Sequence, residues 1–158
     1  LSSLKNEGVC EIANDNAEGQ VIISGDLNKA NLLKTLLKNN NIKSIPLKVS
    51  APFHCSLMKK AAESMKDKIN NTNFLKPKPS IISNVTAKEE LEVNRIKPLL
   101  IDQITSRVRW RESVDYMIKQ GVTNFIEIGP GKVLSGLVKK INKNVNISNI
   151  SSLKDIEK

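Results

Sequence analysis

Aromatic side chains are scarce in this chain, where three Phe, one Tyr and one Trp make up 3% of the 158 residues. Proteins that bind single-stranded nucleic acid commonly stack bases on aromatic rings, and this sequence offers no such set. Leu, Ile and Val must therefore supply most of the core. No apolar run approaches the ~20 residues of a membrane-spanning helix, so we expect no membrane partner.

Cysteine is equally sparse. Cys10 and Cys55 lie far apart and match neither a CxxC motif nor a zinc-ligand spacing, so we expect no metal site. The number of cysteines alone allows a disulfide between them. Two scattered cysteines nevertheless favour reduced thiols, and we expect the protein in a bacterial cytoplasm or an organelle. The first residues lack the charged leader and apolar stretch of a signal peptide. A starting Met is also missing, so we expect the chain to begin partway through a longer product.

Acidic residues are outnumbered: 25 Lys and Arg stand against 16 Asp and Glu, which gives a net charge of +9. Such a balance is typical of proteins that meet nucleic acid, an anionic membrane, or an acidic protein or phosphate-bearing substrate. The basic residues are spread along the chain, and no RNA- or DNA-binding motif is present. The sequence therefore favours a solvated Lys-rich surface first, an acidic protein partner second and nucleic acid last.

The first fifty residues predict a small α+β unit. Short β-branched runs predict three strands, over Val9–Ala13, Gly19–Gly25 and Ser44–Ser50. Pro46 places the third strand at a sheet edge, because proline cannot donate to a strand ladder. Asp26 precedes a leucine stripe that predicts a helix between the second and third strands. This order favours an antiparallel sheet.

The remaining residues predict a parallel α/β layer, because strands there alternate with helices. The strands are expected at Ser80–Val85, Asn124–Ile128 and Val145–Ile150, and the helices at Leu57–Ile69, Val93–Ser106, Arg111–Gln120 and after Gly129-Pro-Gly131. The Gly129-Pro-Gly131 turn lacks the spacing of a phosphate-binding loop, so a packing turn is favoured. The fold class predicted for the whole chain is α/β.

The single histidine, His54, lies between a predicted strand and a predicted helix. Imidazole can take a proton from a hydroxyl near neutral pH and return it later, which is what acyl transfer requires. Spacing alone favours a structural or merely exposed histidine over a catalytic one.

Five stretches together resemble one enzyme family. Val49–Met58, with the sequence Val-Ser-Ala-Pro-Phe-His-Cys-Ser-Leu-Met, resembles the histidine motif of malonyl-CoA:acyl-carrier-protein transacylases and of the acyltransferase domains of polyketide and fatty-acid synthases. Further stretches match this family in the expected order, namely Ala13–Gly25, Gln103 with Trp110, Ser113–Met117 and Phe125–Leu137. The resemblance runs from about Val9 to Ile150 and concerns the C-terminal half of the family's length.

The resemblance implies a two-step transfer of a malonyl group through an acyl-serine. A serine attacks the malonyl thioester of coenzyme A, and the pantetheine thiol of acyl carrier protein then takes the group. His54 matches the general base of both steps, and Gln103 matches a residue whose main-chain carbonyl orients that base. From its position alone, Gln103 stays open as an ordinary polar helix residue. The resemblance also implies a ferredoxin-like small subdomain over 1–50 and part of a hydrolase-like large domain over 51–158.

Three further residues are candidates for substrate binding, Phe53 and Asn14 by the resemblance and Lys43 by its place before the third predicted strand. Phe53 would close the pocket against an α-methyl branch and favour malonyl over methylmalonyl. Asn14 matches a position near coenzyme A, with an Asn that caps a turn as the alternative. Lys43 is a candidate contact for the phosphate end of pantetheine or for the acidic carrier, with a plain surface lysine as the alternative.

The serine motif Gly-x-Ser-x-Gly does not occur in these 158 residues. We therefore expect the isolated chain to be inactive and to need the missing N-terminal half of the same enzyme as a partner. Coenzyme A thioester is expected as a substrate, with no cofactor. Two alternatives stay open: a non-catalytic remnant that binds acyl carrier protein, and an acyltransferase domain of a polyketide synthase.

Overall fold

The computed structural model describes residues 8–156 and contains, in that range, six strands in three two-stranded sheets and five α-helices. The strands are β1 (Cys10–Ala17), β2 (Gln20–Gly25), β3 (Ile81–Ile82), β4 (Glu89–Glu90), β5 (Asn124–Ile128) and β6 (Asn146–Ile150). The helices are α1 (Leu27–Asn39), α2 (Lys59–Asn71), α3 (Val93–Asp102), α4 (Trp110–Lys119) and α5 (Val133–Ile141), with 3₁₀ turns at Ser56–Met58 and Leu153–Asp155. Across these residues, no helix has the length and apolarity that crossing a bilayer requires.

The N-terminal unit begins with the predicted antiparallel hairpin. β1 and β2 pair from Cys10 opposite Gly25 to Ala17 opposite Gln20. Gly25 is required by close backbone approach, since a Cβ there would lie 2.1 Å from the carbonyl oxygen of Val9. Asp26 then precedes α1 in extended conformation, and its carboxylate accepts a hydrogen bond from the Val9 N–H at 2.5 Å. The predicted order of strand, strand and helix is confirmed.

The third predicted strand, Ser44–Ser50, is wrong. Residues 42–49 are exposed and form no helix or strand within the described range. Their apolar side chains alternate with polar ones as in a strand, and Ile45, Leu47 and Val49 are all exposed. Residues 8–156 contain no strand that pairs with this segment, and the alternation is therefore left without a ladder.

The predicted strand Ser80–Val85 is shorter than expected. β3 ends at Ile82 and turns back at once into β4. The turn is closed by the Ala87 N–H, which donates to the Ser83 carbonyl at 2.8 Å, and Ala87 has a positive φ of 54°. The β-branched run indicated a strand, but Ser83 and Asn84, residue types that favour turns, cut it short.

β1 joins the first fifty residues to the rest of the chain. Its second edge bonds to the stretch before α4: the Val108 N–H donates to the Ala13 carbonyl at 2.8 Å, and the Asp15 N–H donates to the Val108 carbonyl at 2.9 Å. The Asp15 carboxylate also accepts two hydrogen bonds from the Arg111 guanidinium, at 3.1 and 2.7 Å. The division into subdomains at residue 50 stays a prediction, and these bonds span that boundary.

The core lies where β1, α4 and α5 meet. Its buried apolar side chains are small or medium in size, as the shortage of aromatics requires, and include Ala13, Ala17, Val114, Leu137 and Val138.

The predicted parallel pair of strands is confirmed at the C-terminal end. β5 and β6 pair in parallel from Asn124 opposite Asn146 to Ile128 opposite Ile150. The Gly129-Pro-Gly131 turn then leads into α5, whose Leu134 and Ser135 N–H groups donate to the Glu127 carboxylate at 3.1 and 2.8 Å. The Glu127 carboxylate thus occupies N–H groups at the start of α5 that a phosphate would otherwise bind, which supports a packing turn there.

One face of this parallel pair is bare. Ile126 and Ile128 of β5 are 59% and 79% exposed, and Val133 at the start of α5 is also exposed. Parallel sheets are normally covered on both faces. The exposed apolar face therefore indicates a surface suited to further protein.

Glu90 on β4 carries a buried carboxylate, with the residue 5% exposed. It accepts hydrogen bonds from Arg95 Nε at 2.8 Å and from Arg95 Nη2 and Thr86 Oγ1 at 3.3 Å. The hydrogen bonds from Arg95, opposed in part by burial, hold the pKa of Glu90 below its usual value. A lowered pKa in the folded state stabilises the fold above the ordinary carboxyl range, and this stability is lost as pH falls through the folded pKa.

We expect Glu90→Gln to lower the free energy of unfolding at pH 7 and to have less effect at pH 3, below the ordinary carboxyl range, because the stabilisation by the charged form falls as pH approaches the lowered pKa. Urea midpoints at the two pH values measure the difference. Glu89→Gln, at the exposed neighbouring position, is the matched control. An equal loss of stability at both pH values would contradict this account.

Candidate active site

His54 lies in a tight turn with left-handed backbone, at φ 57°. Such a conformation costs a non-glycine residue about 1–3 kcal/mol and persists where the surroundings impose it. The turn follows the irregular segment 42–50 rather than the predicted strand, and it leads directly into the Ser56–Met58 turn and α2. Within it, the fully buried thiol of Cys55 lies 3.0 Å from the Pro52 carbonyl oxygen, to which it donates.

The His54 ring is held by the main chain of Gln103. Nδ1 of His54 lies 3.0 Å from the carbonyl oxygen of Gln103, and both residues are half-buried. A carbonyl oxygen can only accept, so Nδ1 carries the proton. In the neutral ring, Nε2 is then left with its lone pair, which is the state that a general base requires.

The end of α3 makes this carbonyl available. The sequence predicted a helix to Ser106, but α3 ends at Asp102. In the closing turn, Thr105 and Ser106 direct their N–H groups to the carbonyl of Asp102, at 3.2 and 2.9 Å. The next carbonyl, that of Gln103, points out of the helical pattern and accepts from His54.

Ion pairs hold the start of α4, just beyond the Gln103 stretch. Glu112 accepts hydrogen bonds from Arg109 and Arg107, and Arg109 also donates to the Val85 carbonyl at 3.0 Å. The hydrogen bond from Arg109 lowers the pKa of Glu112. These contacts and the Val108 bonds to β1 fix the C-terminal end of the stretch that carries Gln103.

A second contact holds the far side of the His54 turn. The Glu11 carboxylate on β1 accepts from the Ser56 N–H at 3.0 Å and from Ser56 Oγ at 2.5 Å. Sequence reasoning missed Glu11, because a carboxylate in a strand gives no signal for a partner 45 residues away.

The other predicted site residues are not joined to His54 by hydrogen bonds. Phe53 precedes the histidine and is 46% exposed, which leaves its ring accessible to a ligand. Asn14 lies on β1 and is half-buried, and Lys43 is exposed on the irregular segment. Within residues 8–156, neither the Asn14 nor the Lys43 side chain makes a hydrogen bond, so their substrate-binding roles stay predictions. The roles of His54, Gln103 and Phe53 likewise stay predictions.

We expect Gln103→Ala to leave the Nδ1–H form of His54 intact, because the orienting group is a main-chain carbonyl. Long-range ¹H–¹⁵N spectra measure this form without ambiguity, since His54 is the only histidine in the chain. Ile104→Pro is the contrasting variant, since proline disfavours the helical conformation of the residue before it and should turn the carbonyl away. Loss of the Nδ1–H form in Gln103→Ala would contradict a main-chain role.

No family model matches the chain. Curated relatives do match, among them the malonyl CoA-acyl carrier protein transacylase of Bacillus subtilis, which is 46% identical over 148 residues, or 93% of this chain and 47% of the relative. The crystal structure of malonyl CoA-acyl carrier protein transacylase from Clostridium perfringens is 42% identical and superposes with a TM-score of 0.93 over 99% of this chain and 49% of its own.

A third match is a complex of a type II polyketide-synthase acyl-carrier protein with its malonyl-transacylase, 33% identical with a TM-score of 0.88 over 96% of this chain and 48% of its own. The chain spans about half the length of the curated relatives it matches. The predicted fold class, α/β with the C-terminal part of the large domain, is confirmed by these superpositions.

Proposed function

This chain matches the C-terminal half of malonyl CoA-acyl carrier protein transacylases, and we propose that it supplies the general base for transfer of a malonyl group from coenzyme A to acyl carrier protein. The observation that carries the proposal is the 3.0 Å contact between His54 Nδ1 and the Gln103 carbonyl oxygen. It leaves Nε2 as the proton acceptor on the only histidine in the chain.

In the first step, Nε2 of His54 takes the proton of a serine hydroxyl on the N-terminal half. The serine oxygen bonds to the malonyl carbonyl carbon, the carbon–sulfur bond to coenzyme A breaks, and the imidazolium gives its proton to the departing sulfur. Throughout the step, the Nδ1–H group stays on the Gln103 carbonyl, which holds the ring in place and accepts from the imidazolium as well as from the neutral ring.

In the second step, the same groups act in the reverse sense. Nε2 takes the proton of the pantetheine thiol, whose sulfur bonds to the malonyl carbon as the bond to the serine oxygen breaks. The imidazolium then returns its proton to the serine. The base is neutral at the end of each step, so one histidine serves both without an added cofactor.

Substrate binding is proposed for three residues around this centre. Phe53 adjoins His54 in sequence and is exposed, and its proposed role is to collide with a branched acyl group. Lys43 is exposed in a chain with a net charge of +9, a balance that suits an acidic carrier or the phosphates of coenzyme A. Asn14 is proposed near the coenzyme on the family resemblance alone.

The carrier itself is part of the proposal. One matched structure holds a type II polyketide-synthase acyl-carrier protein with its malonyl-transacylase. We propose acyl carrier protein as the partner, in line with the names of the curated relatives, and fatty-acid synthesis as the assembly line that it serves.

The test joins this chain to the N-terminal half of the Bacillus subtilis relative, fused or coexpressed, and follows malonyl transfer to holo acyl carrier protein. We expect transfer by the joined protein and none by this chain alone, because the chain lacks the serine motif. His54→Gln in the joined protein should lower kcat by at least about 10³-fold, the scale of a lost general base.

Glu92→Gln is the matched control, since Glu92 forms an exposed ion pair with Lys76 and should leave the rate unchanged. Transfer that survives in His54→Gln would contradict the assignment of the base. A joined protein that binds carrier protein and coenzyme A but transfers nothing would favour the non-catalytic alternative.

A further inference from the structure

The turn that carries His54 is anchored on both sides by groups distant in sequence. On one side, the His54 ring donates to the Gln103 carbonyl. On the other, the Ser56 N–H and hydroxyl both donate to the Glu11 carboxylate. A carboxylate that receives two hydrogen bonds from one residue fixes that residue's position and direction.

The conformation of the His54 turn requires support from outside the turn. The backbone of His54 is in the left-handed region, and the preceding residues 42–50 form no helix or strand. The short 3₁₀ turn that precedes α2 adds one backbone hydrogen bond, from the Met58 N–H to the Cys55 carbonyl at 3.0 Å. Contacts from outside the turn must therefore hold its strained conformation.

β1 is the common support for both anchors. Glu11 on this strand holds Ser56, while Ala13 and Asp15 on the same strand bond to the main chain of Val108. Val108 lies in the stretch between Gln103 and α4, so β1 sets the distance between the Gln103 carbonyl and the His54 turn. β1 pairs with β2 along its other edge, with register shifts between Ile12 and Asn14 and between Asp15 and Ala17.

We propose that Glu11 is a positioning residue for His54, acting through Ser56 to keep Nδ1 on the Gln103 carbonyl and Nε2 free. The proposal deepens the proposed function, since it rests on His54 as the base. Glu11 touches neither the imidazole nor the substrate in this scheme. Its effect is on the geometry and proton distribution of the ring, and only through these on the rate.

Four variants separate this role from a general contribution to stability. Glu11→Ala removes both hydrogen bonds, and Glu11→Gln keeps one acceptor oxygen and removes the charge. Ser56→Ala removes the hydroxyl bond alone and keeps the N–H bond, so it disturbs the fold least. Ser56→Thr retains the hydroxyl and is the rescue variant. Glu18→Gln, at the exposed tip of the same hairpin, is the control.

The first readout is the Nδ1–H fraction of His54, measured by ¹⁵N NMR on this chain with labelled histidine. It requires no catalysis and therefore decides the positioning role even if malonyl transfer fails. We expect the fraction to fall in Glu11→Ala and, less, in Ser56→Ala, and to match the unmodified chain in Ser56→Thr and Glu18→Gln. An unchanged fraction in a folded Glu11→Ala chain would overturn the proposal.

The second readout is the kinetics of the same variants joined to the N-terminal half. A displaced base lowers kcat with little change in KM, and small misplacements cost on the order of 10- to 100-fold. We expect that pattern in Glu11→Ala, with the rate restored in Ser56→Thr relative to Ser56→Ala. A rise in KM for malonyl-CoA at constant kcat would overturn the proposal, because it would place Glu11 in substrate binding.

Discussion

One hydrogen bond determines what this site can do, the bond from His54 Nδ1 to the main-chain carbonyl of Gln103. Because the carbonyl has no proton to give, it selects one tautomer of the ring and leaves Nε2 as the acceptor. In hydrolases with a full triad, a buried carboxylate does this work. Here the orienting group is neutral and belongs to the backbone, so it depends on the path of the chain rather than on a side chain.

The surrounding elements fix the path of the main chain at Gln103 and at the His54 turn. α3 ends one residue before Gln103, which turns its carbonyl away from the helix. β1 bonds to the Gln103 stretch at Val108 and to the His54 turn through Glu11. The strand thus joins two parts of the chain that are far apart in sequence, and the base is positioned between them. The bare face of β5 is an exposed apolar surface suited to further protein.

Local sequence patterns predicted those strands and helices whose bounds depend on nearby residues. Asn124–Ile128 is found at the predicted bounds, and α1 begins directly after Asp26, where the leucine stripe predicted a helix. The family motif led to His54 and Gln103, and the structure brings these two together. Spacing could not predict Glu11, whose partner is 45 residues away. Apolar and polar residues alternate over Ser44–Ser50 as they do in a strand. A strand also needs a neighbouring strand to pair with, and residues 8–156 provide none for this segment.

We propose that the base and the nucleophile lie on different halves of one enzyme. The most direct test is the intact mass of this chain and of the N-terminal half of the Bacillus subtilis relative, each alone and both together, after incubation with malonyl-CoA. The account predicts a malonyl adduct on the N-terminal half that forms at least about 10²-fold faster when this chain is present, and no acceleration by the His54→Gln chain. An adduct on this chain alone would contradict it.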